Sequence, residues 1–145
     1  MLSATRELRR WIAIVLTTAG MLFWAGESLF AVAATLDPEN RTPDSIAAMV
    51  PDHVLDRDAI AFGVVSVLLL VATIFFLCRL RFARLLLIGA AALAVVGQLE
   101  VTRRGLIPIF YFFHHPPRSN VVSDWPLLLF PLITIALLLG SQREY

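Results

Sequence analysis

Two adjacent histidines, His114 and His115, are the residues of this sequence that most directly suggest chemistry, because histidine is a common metal ligand and general base. Adjacent side chains, however, diverge by about 100° on a helix and point to opposite faces of a strand, so the pair is poorly spaced to bind one metal ion. A zinc site would also require His53 and Asp124 to converge on the pair from separate loops. We therefore expect no metal site.

The sequence contains no other pattern typical of an enzyme or of a cofactor site. Its single cysteine, Cys78, excludes an intrachain disulfide and a CxxC redox pair. It has no phosphate-binding glycine loop, no serine-hydrolase or zinc-protease motif, and no basic aromatic groove for nucleic acid. We therefore expect no catalytic activity, no cofactor and no nucleic-acid partner.

Charged residues at the ends of apolar segments form a better candidate site. By helical rise, Glu27 and Glu100 lie about 24 Å and about 27 Å from the inner ends of their segments, near the outer boundary of a bilayer core of about 30 Å. Glu100 precedes Arg103 and Arg104 by a helical spacing that allows ion pairing. We expect these four residues to form a charged cluster, with His114 and His115 as a contact surface beside it. An ion-paired helix end is the structural interpretation, and a substrate, lipid-headgroup or ion site is the functional alternative.

Composition assigns the chain to the membrane proteins. Its 145 residues are 59% hydrophobic and 16% charged, with a mean hydropathy of +0.79. Soluble domains are closer to half apolar and a quarter charged. Since one transmembrane helix needs about 20 residues, the chain has room for four spans with short connections, and no separate soluble domain fits.

The apolar runs predict an all-α integral membrane protein, with four transmembrane helices in one bundle. The expected spans are about 11–34, 59–78, 82–102 and 125–140, and the outer loops are about 35–58 and 103–124. Pro131 should kink the fourth span because it removes an interior hydrogen bond. A cleaved signal peptide is the alternative interpretation of the first span, but the apolar stretch is longer than a typical signal core.

Both outer loops contain segments that predict further structure. Thr42 as N-cap, Pro43 at the first helical position and Pro51 after the end predict a short helix on the outer surface. The stretch from Gly105 to Phe113 is too short to span a bilayer and too apolar to stand free in water. It therefore predicts an interfacial or re-entrant segment before the fourth span.

Small residues in the third span predict a helix-packing face. Gly89, Ala90, Ala94 and Gly97 recur at helical spacings, and small side chains let a second backbone approach closely. The partner helix belongs either to the same chain or to another subunit. We expect this helix to be central to the bundle.

Arginine placement predicts the orientation, since all twelve basic residues are arginines. If the amino terminus is cytoplasmic, seven arginines fall inside and five outside, which is a modest positive-inside bias. The inside set is Arg6, Arg9, Arg10, Arg79, Arg81, Arg84 and Arg143, and the outside set is Arg41, Arg57, Arg103, Arg104 and Arg118. We therefore expect a multi-pass protein of a bacterial inner membrane with both termini in the cytoplasm.

Three functional classes are compatible with these features. The first is a non-catalytic accessory subunit or assembly factor of a larger membrane complex, whose partners are other integral membrane proteins. The second is a small homo-oligomeric transporter or channel that uses the charged cluster. The third is an outer-face metal-dependent enzyme built on the histidines and Asp124. We favour the first, because the spans are apolar, the third span offers a packing face and no reactive set converges.

Overall fold

The computed structural model describes residues 2–37, 51–103 and 121–140, and in these ranges the chain is helical with no strand. The four helices are α1 (Leu2–Leu36), α2 (Asp52–Leu77), α3 (Ala83–Arg103) and α4 (Val121–Gly140). Three segments are long and apolar enough to cross a membrane: Glu7–Leu36, Asp52–Leu77 and Ala83–Val101. Within α4 the apolar stretch is Leu128–Gly140. The predicted all-helical class is confirmed for this part of the chain.

Helices α1, α2 and α4 begin before the predicted spans, whereas α3 agrees with its predicted span to within one residue. Hydropathy locates the apolar part of a helix and not its ends. The second helix begins at Asp52, directly after Pro51, which has an extended backbone. The fourth helix begins at Val121, so Asp124 lies inside a helix and not in the loop before it. The predicted surface helix after Thr42 and the interfacial segment from Gly105 lie outside the described residues.

The α2 helix ends in a Schellman motif whose left-handed residue is an arginine. The N–H of Leu80 donates to the carbonyl oxygen of Phe75, and the N–H of Arg79 donates to that of Phe76, both at 3.2 Å. Arg79 has φ 57°, a conformation in which glycine is the usual residue at this position of a helix end. The backbone of Arg79 is therefore strained by its own side chain.

The helices pack as a ring in which α1 and α3 lie diagonally opposite. The first helix packs on α2 and α4, and the third also packs on α2 and α4. Trp24 of α1 fills the centre, where its ring lies 5.1 Å from that of Phe62 in α2. A Cβ atom added to Gly97 of α3 would stand 3.6 Å from Cη2 of Trp24. The indole thus reaches across the ring and touches three helices.

Hydroxyl groups fix the register between α1 and α2. The interhelical bonds run from Thr73 Oγ1 to Thr17 Oγ1 (3.1 Å), from Ser66 Oγ to the carbonyl oxygen of Met21 (3.0 Å), and from Ser28 Oγ to the carbonyl oxygen of Ala59 (2.7 Å). Residue numbers rise along α1 as they fall along α2, so the two helices are antiparallel. Gly63 allows the close approach, because a Cβ atom there would stand 3.1 Å from Ser28 Oγ.

The start of α1 and the end of α4 lie at the same end of the bundle, together with the turn between α2 and α3. There Nη2 of Arg10 donates to the carbonyl oxygen of Leu77 at 3.1 Å. Arg84 of α3 donates a hydrogen bond to the carbonyl oxygen of Leu138 in α4. We call this the basic end, after the four arginines that surround it: Arg9, Arg10, Arg79 and Arg84.

The predicted packing face of α3 is divided between the interior and the surface. Ala90 and Ala94 are buried in the core cluster, and Gly97 lies against Trp24. Gly89 is exposed, and an added Cβ atom there would meet nothing within 4 Å. The small residue on which α4 packs most closely is in α1, where a Cβ atom added to Gly20 would overlap the Phe130 ring.

We expect the substitution Arg79→Gly to raise the free energy of unfolding by about 1 kcal/mol, because glycine adopts the left-handed conformation without a steric penalty. Denaturant titration of the detergent-solubilised protein measures this change. Arg81→Gly is the matched control, since Arg81 lies in the same turn and has no positive φ. The control should leave stability unchanged or lower it. Equal effects of the two substitutions would show that strain at Arg79 is not the cause.

Candidate functional site

The predicted charged cluster is partly assembled at the end of α3. Nε and Nη2 of Arg103 donate to the two carboxylate oxygens of Glu100, each at 2.8 Å, in a two-pronged ion pair. This pair raises the pKa of the Arg103 guanidinium above its ordinary value, first through the hydrogen bond and then through the charge of Glu100. Both side chains are exposed, so solvent screens the pair and it contributes little to stability. Arg104, His114 and His115 lie outside the described residues.

Glu27 lies apart from that surface pair, in the interior of the bundle. Its side chain is 2% exposed, and its Oε2 atom is buried without a hydrogen-bond partner among the residues that the structure describes. It lies one turn beyond Trp24 on α1 and about 30 Å along the helix from Glu7, in the half of the bundle remote from the basic end. An unpaired carboxylate in such surroundings costs several kcal/mol unless a counter-charge or a proton neutralises it.

Asp58 of α2 lies at the same level of the bundle as Glu27. Ser28, the neighbour of Glu27, donates to the carbonyl oxygen of Ala59, the neighbour of Asp58. Asp58 is 4% exposed, and Nε of Arg57 stands 3.9 Å from its Oδ1 atom at the bundle surface. Two acidic side chains therefore enter the interior from adjacent helices. They lie one helical turn from the central indole, on the side remote from the basic end.

Gln98 completes this group from α3. It follows Gly97, the residue that faces the central indole, and it is 1% exposed. Neither its amide nitrogen nor its amide oxygen has a hydrogen-bond partner, and the same holds for Nε1 of Trp24. We call Trp24, Glu27, Asp58 and Gln98 the polar core. It combines carboxylate acceptors, an amide that both donates and accepts, and an indole donor.

The residues considered for a metal site do not assemble in the described part of the chain. His53 is exposed in the first turn of α2, and Asp124 lies in α4. No group of three or more histidine, cysteine or acidic residues that could hold a metal ion occurs among the described residues. The polar core thus offers two carboxylic acids but no third acidic or histidine ligand from those helices.

Sequence reasoning missed three members of the polar core, although a signal for one of them was present. The buried positions of α3 recur every three or four residues, in the series Leu87, Ala91, Ala94, Gln98 and Val101. Gln98 continues the small-residue face that the sequence predicted, and this spacing places it inside. For Asp58 and Trp24 the deciding fact is the rotation of α1 and α2 about their axes, which no local pattern specifies.

No known protein family, no curated protein and no solved structure matches the chain. A functional assignment therefore depends on what the polar core can bind. Its carboxylate oxygens suit a cation, and Gln98 and Trp24 supply hydrogen bonds that orient a small polar solute. The aromatic faces of Trp24 and Phe62 add a surface that attracts an organic cation.

We expect the substitution Gln98→Leu to stabilise the protein without ligand by about 1–3 kcal/mol, because it removes a buried amide that has no partner and keeps the side-chain volume similar. Denaturant titration in mild detergent tests this. The matched control is Ser66→Ala, which removes a buried hydroxyl that does have a partner and should lower stability by about 0.6 kcal/mol. A loss of stability in Gln98→Leu would contradict the assignment of Gln98 as unsatisfied in the folded protein.

Proposed function

We propose that the chain is a four-span protein of a bacterial inner membrane with its basic end in the cytoplasm. The 20 residues of α4 have a helical length of about 30 Å, comparable to the hydrocarbon thickness of a bilayer, and the apolar stretch Leu128–Gly140 accounts for about 20 Å of it. Arginines concentrate at one end of the bundle, and the positive-inside rule assigns such an end to the cytoplasm. Because α1 starts and α4 finishes there, both termini are then cytoplasmic.

Within that membrane, we propose that the polar core is the binding site of a small transporter for a cationic solute. One observation carries this proposal: the carboxyl group of Glu27 is buried in the bundle and its Oε2 atom lacks a partner. Ionisable side chains in membrane helices are rare, face the bundle interior and mark ion or substrate pathways. A monovalent organic cation suits the polar core, because the carboxylate of Glu27 would balance its single charge while Asp58 stands 3.9 Å from Nε of Arg57.

The position of the polar core indicates how such a solute would enter. Glu27 lies nine residues before the end of α1 at Leu36, which is about 13 Å along the helix. The shorter route to it therefore begins at the end of the bundle opposite the basic end. Because the polar core belongs to a single bundle, its route runs through one chain and not between copies of it.

We expect the substitution Glu27→Gln to weaken binding of methylammonium at least about tenfold, since its charge-assisted hydrogen bonds are worth about 1.5–3 kcal/mol. Replacing Trp11 and Trp125 by phenylalanine leaves Trp24 as the sole indole, one turn from Glu27. Its fluorescence then reports binding during titration of nanodisc-embedded protein with methylammonium and tetramethylammonium.

The matched control for this titration is Glu100→Gln, which removes an exposed acid at the same end of the bundle. It should leave the titration unchanged. The proposal fails if neither cation gives a saturable fluorescence change, or if Glu27→Gln binds as tightly as the parent protein. A flux assay in proteoliposomes then tests whether binding leads to transport.

The accessory-subunit function remains a second candidate, because an apolar groove of about 500 Å³ opens on the lipid-facing side between α1 and α2. Its floor contains Ser28, Ala59 and Gly63, and small residues of this kind allow a helix to approach closely. The hydroxyl of Ser28 already donates to Ala59, so the groove presents an apolar surface. The occupant that fits this groove is a transmembrane helix of a larger membrane protein.

We expect Val67→Trp, which fills this groove, to reduce co-purification of a partner subunit at least about fivefold, because overpacking a contact costs about 1–3 kcal/mol. Purification in mild detergent followed by quantitative mass spectrometry measures the loss. Val96→Trp is the matched control, because Val96 of α3 is similarly exposed and lies outside the groove. A homogeneous preparation of this chain alone would reject the accessory function and leave the transporter proposal standing.

A further inference from the structure

The basic end encloses a cavity that the proposed function does not use. Its volume is about 320 Å³. All four helices and the turn between α2 and α3 contribute residues to its wall. Four arginines face it, together with the carboxylate of Glu7. The rest of the wall is apolar, built from Phe76, Leu80 and two leucines of α4. A charged rim and an apolar wall therefore meet in one cavity.

Among the described residues of the wall, Arg10 and Arg79 share a single carboxylate. Glu7 is the acidic side chain in the wall, where its Oε1 atom stands 3.2 Å from Arg10 and 4.0 Å from Arg79. Leaving aside Arg9, which has an interaction of its own, one carboxylate of the described wall stands against three guanidinium groups. Arg84 bonds to the carbonyl oxygen of Leu138, but its Nε atom is buried without a hydrogen-bond partner. The wall can still accept negative charge and hydrogen-bond acceptors.

The strained backbone of Arg79 gives a second, independent indication. Glycine would relieve the left-handed conformation at this helix end, yet an arginine occupies it and its side chain lines the cavity. Strained residues of this kind concentrate at ligand-binding sites, where the side chain is needed in that place. Guanidinium groups are suited to phosphate, because their planar N–H donors match its oxygen atoms in pairs.

We propose that this cavity binds the phosphate group of an anionic phospholipid, with the acyl chains leaving along the apolar wall. Basic cavities between membrane helices on the cytoplasmic side are suited to such headgroups. The leucines and Phe76 give a hydrocarbon chain a surface that a soluble phosphate ester would not need. This site lies at the opposite end of the bundle from the polar core. The lipid-binding proposal can therefore be rejected without rejecting the transporter proposal, and the reverse also holds.

The test is a native mass-spectrometry titration of the full-length protein in mild detergent, with phosphatidylglycerol, phosphatidylcholine and inorganic phosphate as probes. Phosphatidylglycerol should bind more tightly than phosphatidylcholine. With each arginine worth about 1 kcal/mol, Arg79→Gln should weaken phosphatidylglycerol roughly fivefold, and Arg9→Gln/Arg79→Gln roughly 25-fold. Arg81→Gln is the matched control, because Arg81 lies two residues along the same turn and outside the cavity wall.

The outcomes separate the alternatives. Retained affinity in Arg81→Gln, with graded losses in the two cavity variants, supports the lipid site. Equal losses in Arg79→Gln and Arg81→Gln would show general surface attraction and overturn it. If inorganic phosphate binds as tightly as phosphatidylglycerol and with the same dependence on the arginines, the ligand of the cavity is a soluble phosphate. That result would overturn the proposal of a phospholipid ligand. Thermal unfolding of each variant without lipid confirms that it is folded, and Arg79→Gly should gain stability while losing lipid affinity.

Discussion

The hydroxyl contacts between α1 and α2 set the positions on which both proposed sites depend. The hydrogen bond from Ser28 to Ala59 fixes α1 against α2 in the half remote from the basic end. The hydrogen bond from Thr73 to Thr17 fixes the two helices nearer the basic end. In this register, Glu27 and Asp58 face the interior at the same position along the bundle axis. The same register brings Arg10 to the last turn of α2 at the other end. A slip of one helical turn would move α1 by about 5.4 Å and separate both sets.

Much of the fold follows from the sequence, because apolar length alone predicts spanning helices whatever their neighbours are. The pair Glu100–Arg103 also follows from spacing, since a helix of any rotation brings these two side chains together. The interior position of Glu27 does not follow. In a soluble helix a polar face marks the outside, but helices in lipid are apolar on all sides, and the direction of one polar residue depends on the neighbouring helices.

Close packing between helices is likewise only partly predictable from local sequence patterns. A small residue permits close approach but does not choose its partner, so Gly89 is exposed while Gly20 receives the Phe130 ring. The central indole explains part of this choice. Trp24 occupies the middle of the ring and favours a small residue opposite it, such as Gly97, where an added Cβ atom would stand 3.6 Å from the indole in ordinary van der Waals contact. Shape complementarity between distant segments, and not the local pattern, therefore decides which predicted packing residues make contacts.

The distribution of satisfied and unsatisfied polar atoms distinguishes functional from structural polarity in this bundle. The hydroxyl groups of Thr17, Thr73 and Thr134 donate to carbonyl oxygens or to each other, so the fold readily satisfies buried polar groups. The buried side-chain atoms without a partner in the described residues belong to Trp24, Glu27, Gln98 and Arg84. Three of these four residues belong to the polar core, and the fourth lines the basic cavity. Natural proteins retain such local violations where function requires them, and their concentration in two places favours binding at both.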